Sequence, residues 1–164
     1  MAPVVLVTGG SRGIGAATAL LAAQRGYAVA VNYANNSLAA DEMVRQIRAT
    51  GGSIVNMSSA AARLGGGGLY VDYAASKGAI DTLTIGLAKE VALEGIRVNA
   101  VRPGIIETDI HASGGQPDRA RQMSPQVPMQ RAGTALKVAQ AIVWLMGDDA
   151  SYTTGTLVDV TGGR

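Results

Sequence analysis

Val4-Val-Leu-Val-Thr8-Gly-Gly-Ser-Arg-Gly-Ile-Gly15 begins the regular structure of the chain and decides its fold. Val4–Thr8 is too short for a helix and apolar throughout, as expected of a parallel strand covered on both faces. Gly9, Gly13 and Gly15 follow, and then an Ala/Leu-rich helical pattern that stops at Arg25-Gly26. A glycine turn between strand and helix suits a pyrophosphate. Backbone without Cβ atoms can approach the phosphates closely, and the helix N-terminus offers unpaired N–H groups and a positive dipole end. Glycine also serves tight strand–helix packing, so the turn draws its weight from following the first strand. Gly9, Ser11, Arg12, Gly13, Ile14 and Gly15 are the candidate cofactor contacts.

Strands and helices alternate outward from this turn. Ala28–Tyr33 reads as a second strand, and Leu38 to about Ala49 as a helix capped at Asn36-Ser37 and closed at Gly51-Gly52. Ser53–Met57 is a third strand, Tyr73–Leu93 a long Ala-rich helix and Arg97–Val101 a fourth strand. A Gly/Pro-rich stretch from Pro103 to about Gly133 shows little periodicity. Thr134 then caps a helix running through Trp144 to Met146, and Thr156–Val160 is a last strand. The alternation implies an α/β chain with a parallel sheet covered on both faces, in one domain over 1–164.

Composition narrows the function classes. The 164 residues are 48% apolar, with 22 glycines and no phenylalanine, as in a tightly packed α/β protein. A formal charge of +2 without a basic run argues against nucleic acid or an anionic membrane as partner. No cysteine and a single histidine, His111, leave little for thiol or transition-metal chemistry. No apolar run is long enough to span a bilayer and no signal peptide pattern opens the chain, so a soluble, cytoplasmic protein is expected.

Two further features bear on chemistry. An NAD site would place an acid at the end of the second strand to bind the ribose hydroxyls. Here Asn32-Tyr33-Ala34-Asn35-Asn36 carries none, and Arg12 lies in the glycine turn, a combination that favours NADP(H) over NAD(H). Tyr73 and Lys77 are four residues apart on the long helix, which stacks them on one face. An ammonium favours the phenolate, and such a pair in a cleft can exchange a proton with a hydroxyl or carbonyl oxygen. The spacing alone also fits an ordinary surface pair.

Taken together, the glycine turn, Ser58-Ser59 about fourteen residues before Tyr73, and Tyr73-x-x-x-Lys77 resemble the short-chain dehydrogenase/reductase family. Asn99-Ala-Val-Arg-Pro103-Gly104 with Thr108 beyond it looks like that family's Pro-Gly turn, and Tyr152–Gly163 resembles its C-terminal strand. The resemblance implies a Rossmann-like, doubly wound sheet and a small carbonyl or alcohol substrate. It also implies assembly as a homodimer or homotetramer. Tyr73 would be the general acid/base, and Lys77 would lower its pKa and hold the nicotinamide ribose. Ser59 would bind the substrate oxygen, with Ser58 an ordinary strand-end hydroxyl. Pro103, Gly104, Ile106 and Thr108 would position the nicotinamide end.

One departure is large. Members of this family run to about 250 residues, whereas here the second helix joins directly to the serine-bearing strand. Two strands and two helices are lacking, together with the Asn-Asn-Ala-Gly motif, the acid facing the adenine, the relay asparagine and a helix of the subunit interface. The lacking central strand would stand beside the first strand and wall the cofactor crevice. A deletion or an omitted segment near 50–53 is therefore expected, and the family fold should be out of reach without rearrangement. A nucleotide-binding or partner-binding remnant without turnover is the alternative to an active NADP(H)-dependent alcohol/ketone oxidoreductase.

Weaker signals have plainer readings. His111, in the stretch where the family carries its substrate lid, reads as a plain solvent-exposed loop histidine rather than a substrate contact. Trp144, with Val138, Ile142 and Leu145 at helical spacing, reads as core. Asp118–Arg121 reads as a solvated face, and Asp148-Asp149 and Glu107/Asp109 as helix-end and loop carboxylates.

Overall fold

A computed structural model describes residues 4–8, 14, 17–18, 21–22, 25, 28–32, 52–108 and 115–164. In chain order the strands are β1 (Val4–Thr8), β2 (Ala28–Asn32), β3 (Gly52–Met57), β4 (Ile96–Pro103), β5 (Ile106–Glu107), β6 (Gly133–Thr134) and β7 (Leu157–Val160). The helices are α1 (Ala61–Leu64), α2 (Val71–Val91), α3 (Arg119–Met123) and α4 (Ala135–Met146), and residues 14, 17, 18, 21 and 22 between β1 and β2 are also helical. The helix expected over 38–49 lies outside the described residues.

All strand pairing is parallel. β1 pairs with β2, placing Thr8 opposite Asn32. β3 pairs with β4, and β4 with β7 on its other side. β4 is buried along most of its length, as befits a strand covered on both faces. Val55 and Val101 face α4, whereas Ile54, Ile96 and Val98 face Ala88 and Val91 of α2. The period of two along each strand thus feeds one core on either side.

β1 and β3 lie side by side, yet no ladder bond joins them. Among the described residues β1–β2 and β3–β4–β7 are thus separate ladders; the connection from β2 to β3, on which the expected rearrangement turns, lies outside them. Apolar packing spans the interruption. Val5 and Val7 of β1, Ala22, Val55 of β3 and Val138, Ile142 and Leu145 of α4 form a single buried cluster.

Small residues bring α2 close to β4, its buried row being Ala74, Asp81, Thr84, Ala88 and Val91. It starts two residues before the expected Tyr73 and gives way to a 3-10 turn at Ala92–Glu94. Gly95 ends that turn at φ 72°, a left-handed conformation that disfavours a side chain. On α4, Thr134 stands at the cap position but its side chain makes no capping bond. Trp144 is not core. It shares the exposed row of Leu136 and Gln140, offset from the buried Val138–Ile142–Leu145 stripe, and remains 42% exposed.

The stretch from Pro103 to Gly133 is more ordered than its composition implies. β5 pairs with β6, and Ile105, Ala120, Val127 and Ala132 bury one another around α3. Two-residue strands and a five-residue helix are too short to print a period on the sequence. Asp118 and Arg121 form an exposed ion pair there, in keeping with the expected solvated face.

Packing and propensity make opposite predictions at two positions. Leu145→Ala, at a fully buried site, should lose about 2–5 kcal/mol of stability. Gly86 sits inside α2 with open space where a Cβ would stand, so Gly86→Ala should gain about 0.5–1 kcal/mol. Urea unfolding of both variants beside the parent chain measures each.

Candidate active site

The carboxyl ends of β3 and β4 and the first turns of α2 meet at one place. Beyond Met57 the chain keeps bonding to β4, with the Ser58 N–H on the Val101 carbonyl and the Ala60 N–H on the Pro103 carbonyl, both at 2.9 Å. Lys77 reaches back from α2 and donates from Nζ to the Met57 carbonyl at 2.9 Å. Ser58 returns the contact, its buried Oγ donating to the Lys77 carbonyl at 3.2 Å. Helix and strand end are thus clamped in both directions. Ser58 serves that clamp, as its plain reading implied. Ser59 Oγ accepts the Ala61 N–H at 3.2 Å and opens α1, an acceptor role that leaves its own proton uncommitted.

Tyr73 lies in the first turn of α2, 39% exposed. The Lys77 ammonium stands 5.6 Å from the centre of its ring, within cation–π range. Tyr70 meets the same ring edge-on at 6.3 Å, and the Arg119 guanidinium of α3 stacks on Tyr70 at 4.9 Å. Burial lowers the Lys77 pKa from the ordinary lysine range, and the Asp81 carboxylate partly opposes that shift. The spacing of Tyr73 and Lys77 therefore yields the juxtaposition expected of it.

Around this pair the other candidates are unevenly placed. Pro103 and Ile106 are buried and Thr108 is half-buried, in the segment that leaves β4. Gly104 has a packing reason: a Cβ there would come within 2.8 Å of the Thr161 Cα. The Ile14 side chain packs on the core, so only its backbone remains for a cofactor. Asn32 ends β2 beside Thr8. Gly9, Ser11, Arg12, Gly13, Gly15, Tyr33, Asp109 and His111 lie outside the described residues. A groove of about 520 Å³ at the end of β7 is lined by Arg63, Met129, Asp159 and Thr161, and a second of about 420 Å³ by Arg25, Gln140 and Trp144. Neither includes Tyr73 or Lys77.

Sequence reasoning missed Asp81 and Arg102. Arg102 of β4 binds Asp81 Oδ2 through Nε at 2.9 Å and Nη2 at 2.8 Å, and it approaches Asp159 of β7 at 3.7 Å. Arg63 of α1 joins Asp159 from the other side at 3.5 Å. The available signal was a charge four residues past Lys77 in the otherwise uncharged Gly78–Gly86 segment.

Comparison with known proteins bears directly on this site. Residues 3–51 match the short chain dehydrogenase family model, and residues 38–164 match that of enoyl-(acyl carrier protein) reductase. The first match ends one residue before β3 begins. The uncharacterized oxidoreductase YgfF of Escherichia coli K12 is 42% identical over 245 aligned positions, covering 98% of this chain and 99% of its own. Those positions outnumber the 164 residues here, so YgfF has internal residues without a counterpart. The glucose and ribitol dehydrogenase homolog of Oryza sativa is 47% identical over 70% of this chain, but over only 38% of its own length. Among solved structures, the NADPH-bound short chain oxidoreductase of Pseudomonas aeruginosa PAO1, described as containing an atypical catalytic center, superposes with a TM-score of 0.82. It is 21% identical and matches 98% of this chain and 96% of its own. The fold is therefore of this doubly wound type. Among the described residues no helix is long and apolar enough to cross a membrane.

The depressed Lys77 pKa has a stability consequence. Between its folded midpoint and the ordinary lysine value the unfolded chain holds more protons, so this group adds stability as pH rises through that interval. Lys77→Met lacks the effect. Urea titrations from neutral to alkaline pH should show the difference in stability moving in favour of the parent chain.

Proposed function

The chain belongs to the short-chain dehydrogenase/reductase family, a family of oxidoreductases, and on that premise we propose that it interconverts a secondary alcohol and a ketone with NADP(H). The observation that carries this reading is the Lys77 ammonium held 5.6 Å from the Tyr73 ring centre and anchored on the Met57 carbonyl. In reduction the Tyr73 hydroxyl gives its proton to the substrate oxygen, and in oxidation the phenolate takes it back. Lys77 steadies the phenolate by its charge. One of its three donors is on Met57, and the others are available to ribose hydroxyls. Ser59, with its own proton uncommitted, donates to the substrate oxygen as charge develops there.

A nicotinamide cofactor supplies the hydride, and the chain supplies proton, orientation and exclusion of water. The described residues fit such a group. Lys77 stands at the carboxyl ends of β3 and β4, the side of a parallel sheet where such a group binds. In this reading Gly9, Ser11, Arg12, Gly13, Ile14 and Gly15 hold the pyrophosphate, and Asn32 and Tyr33 flank the adenosine ribose. Pro103, Gly104, Ile106 and Thr108 flank the nicotinamide. Arg12, without an acid at 32–36, supports NADP(H) over NAD(H), and the NADPH-bound neighbour is in keeping with it. Exposed Leu83 and Ile85 on α2 support self-association.

An internal deletion at about 50–53 accounts for the aligned length of YgfF and for the family match that ends at residue 51. The unbonded β1–β3 boundary favours a second reading, a remnant that binds nucleotide without turnover. NADPH oxidation with a panel of ketones separates the two. On the first reading, Tyr73→Phe should lower turnover at least about 100-fold, the usual scale of general acid–base catalysis, and leave NADPH affinity within about twofold. Retained turnover would remove Tyr73 from its role. Fluorescence titration should show NADPH binding more tightly than NADH, and the opposite order would remove the assignment of Arg12.

A further inference from the structure

Asp81 is the one buried ionisable side chain among the described residues. It follows Lys77 by four residues as Lys77 follows Tyr73, so α2 carries phenol, ammonium and carboxylate in a single row. Both Arg102 contacts fall on Oδ2. Oδ1 is buried without a hydrogen-bond partner among the described residues. Half of the carboxylate is therefore spent on Arg102, and half is held dry in the row that carries Lys77. A buried carboxylate that served packing alone would be expected to satisfy both oxygens.

We propose that Asp81, fixed by Arg102, is a positioning residue that keeps the Lys77 ammonium charged beside Tyr73. The proposal rests on the reading of Tyr73 and Lys77 as an acid/base pair. Burial alone favours the neutral amine, which would no longer stabilise a phenolate. The Asp81 charge opposes burial, and Arg102 limits how much of that charge Lys77 feels. The other groups facing this row are the Met57 carbonyl from β3, Asp159 from β7 through Arg102, and Arg63 from α1 through Asp159. Exposure of Arg63, at 50%, makes the outermost link the weakest.

The test uses the whole chain, whose lysines are Lys77, Lys89 and Lys137 alone. Labelling lysine Cε with ¹³C gives three signals, assigned through Lys89→Arg and Lys137→Arg and titrated by NMR. Asp81→Asn should move the Lys77 midpoint to lower pH, while Lys89 and Lys137 stay in place. Arg102→Gln should move it to higher pH. Loosened packing would expose Lys77 and raise its midpoint in both variants, so the fall in Asp81→Asn is the readout that a merely structural role cannot produce. An unmoved or raised midpoint in Asp81→Asn overturns the proposal. Should that variant not fold, Asp81→Ser takes its place: a lowered Lys77 midpoint supports the proposal, and an unmoved or raised one overturns it. NADPH-dependent ketone reduction by the parent chain is measured alongside. Its absence would overturn the acid/base reading, whereas the titration reports on Asp81 regardless of turnover.

Discussion

Apolar packing between β1 and β3 is the interaction on which the rest of the structure depends. Among the described residues, the two parallel ladders β1–β2 and β3–β4–β7 are not paired with each other. What unites them is the cluster in which Val5 and Val7 meet Val55 and the buried stripe of α4. The hydrophobic effect has no direction and follows the area removed from water. It can hold two strands beside each other where ladder geometry is lost. Without a ladder, the alignment of β1 against β3 rests on the hydrophobic pattern alone. Placement of β1 relative to β3 is therefore entrusted to methyl groups.

The candidate site lies on the β3–β4–β7 side of that boundary. Tyr73, Lys77, Ser58, Ser59, Asp81 and Arg102 all belong to β3, β4 and the chain that follows them. The reciprocal Lys77–Met57 and Ser58–Lys77 bonds weld α2 to the end of β3. Arg102, Asp159 and Arg63 extend a line of alternating charge from α2 across the sheet to α1. Alternation matters because each charge, the buried Asp81 above all, then faces an opposite one, which offsets desolvation.

Much of this was legible in the sequence, for reasons that differ by element. The strands were visible as short runs rich in β-branched residues between helical patterns, and β3, β4 and β7 fall within two residues of their expected bounds. Tyr73 and Lys77 could be paired because helical geometry turns a spacing of four into contact. α1, α3, β5 and β6 were not visible, since two to five residues carry no period. Trp144 was misread because a large apolar side chain was weighed ahead of its angular position on α4. Asp81 escaped notice because its meaning depends on Arg102, which is distant in sequence and adjacent only across the sheet.

The stacking of Arg119 on Tyr70 ties the Gly/Pro-rich segment to the helix that begins beside it. A cation–π contact near the surface contributes about 0.5–1 kcal/mol, a factor of only a few in population. Thermal motion can break such a latch many times during one encounter with a small molecule. Because Tyr70 also touches Tyr73, each release of Arg119 alters the wall against which the Tyr73 ring rests. Motion of the Gly/Pro-rich segment and freedom of the Tyr73 ring are in this way linked through a single aromatic side chain.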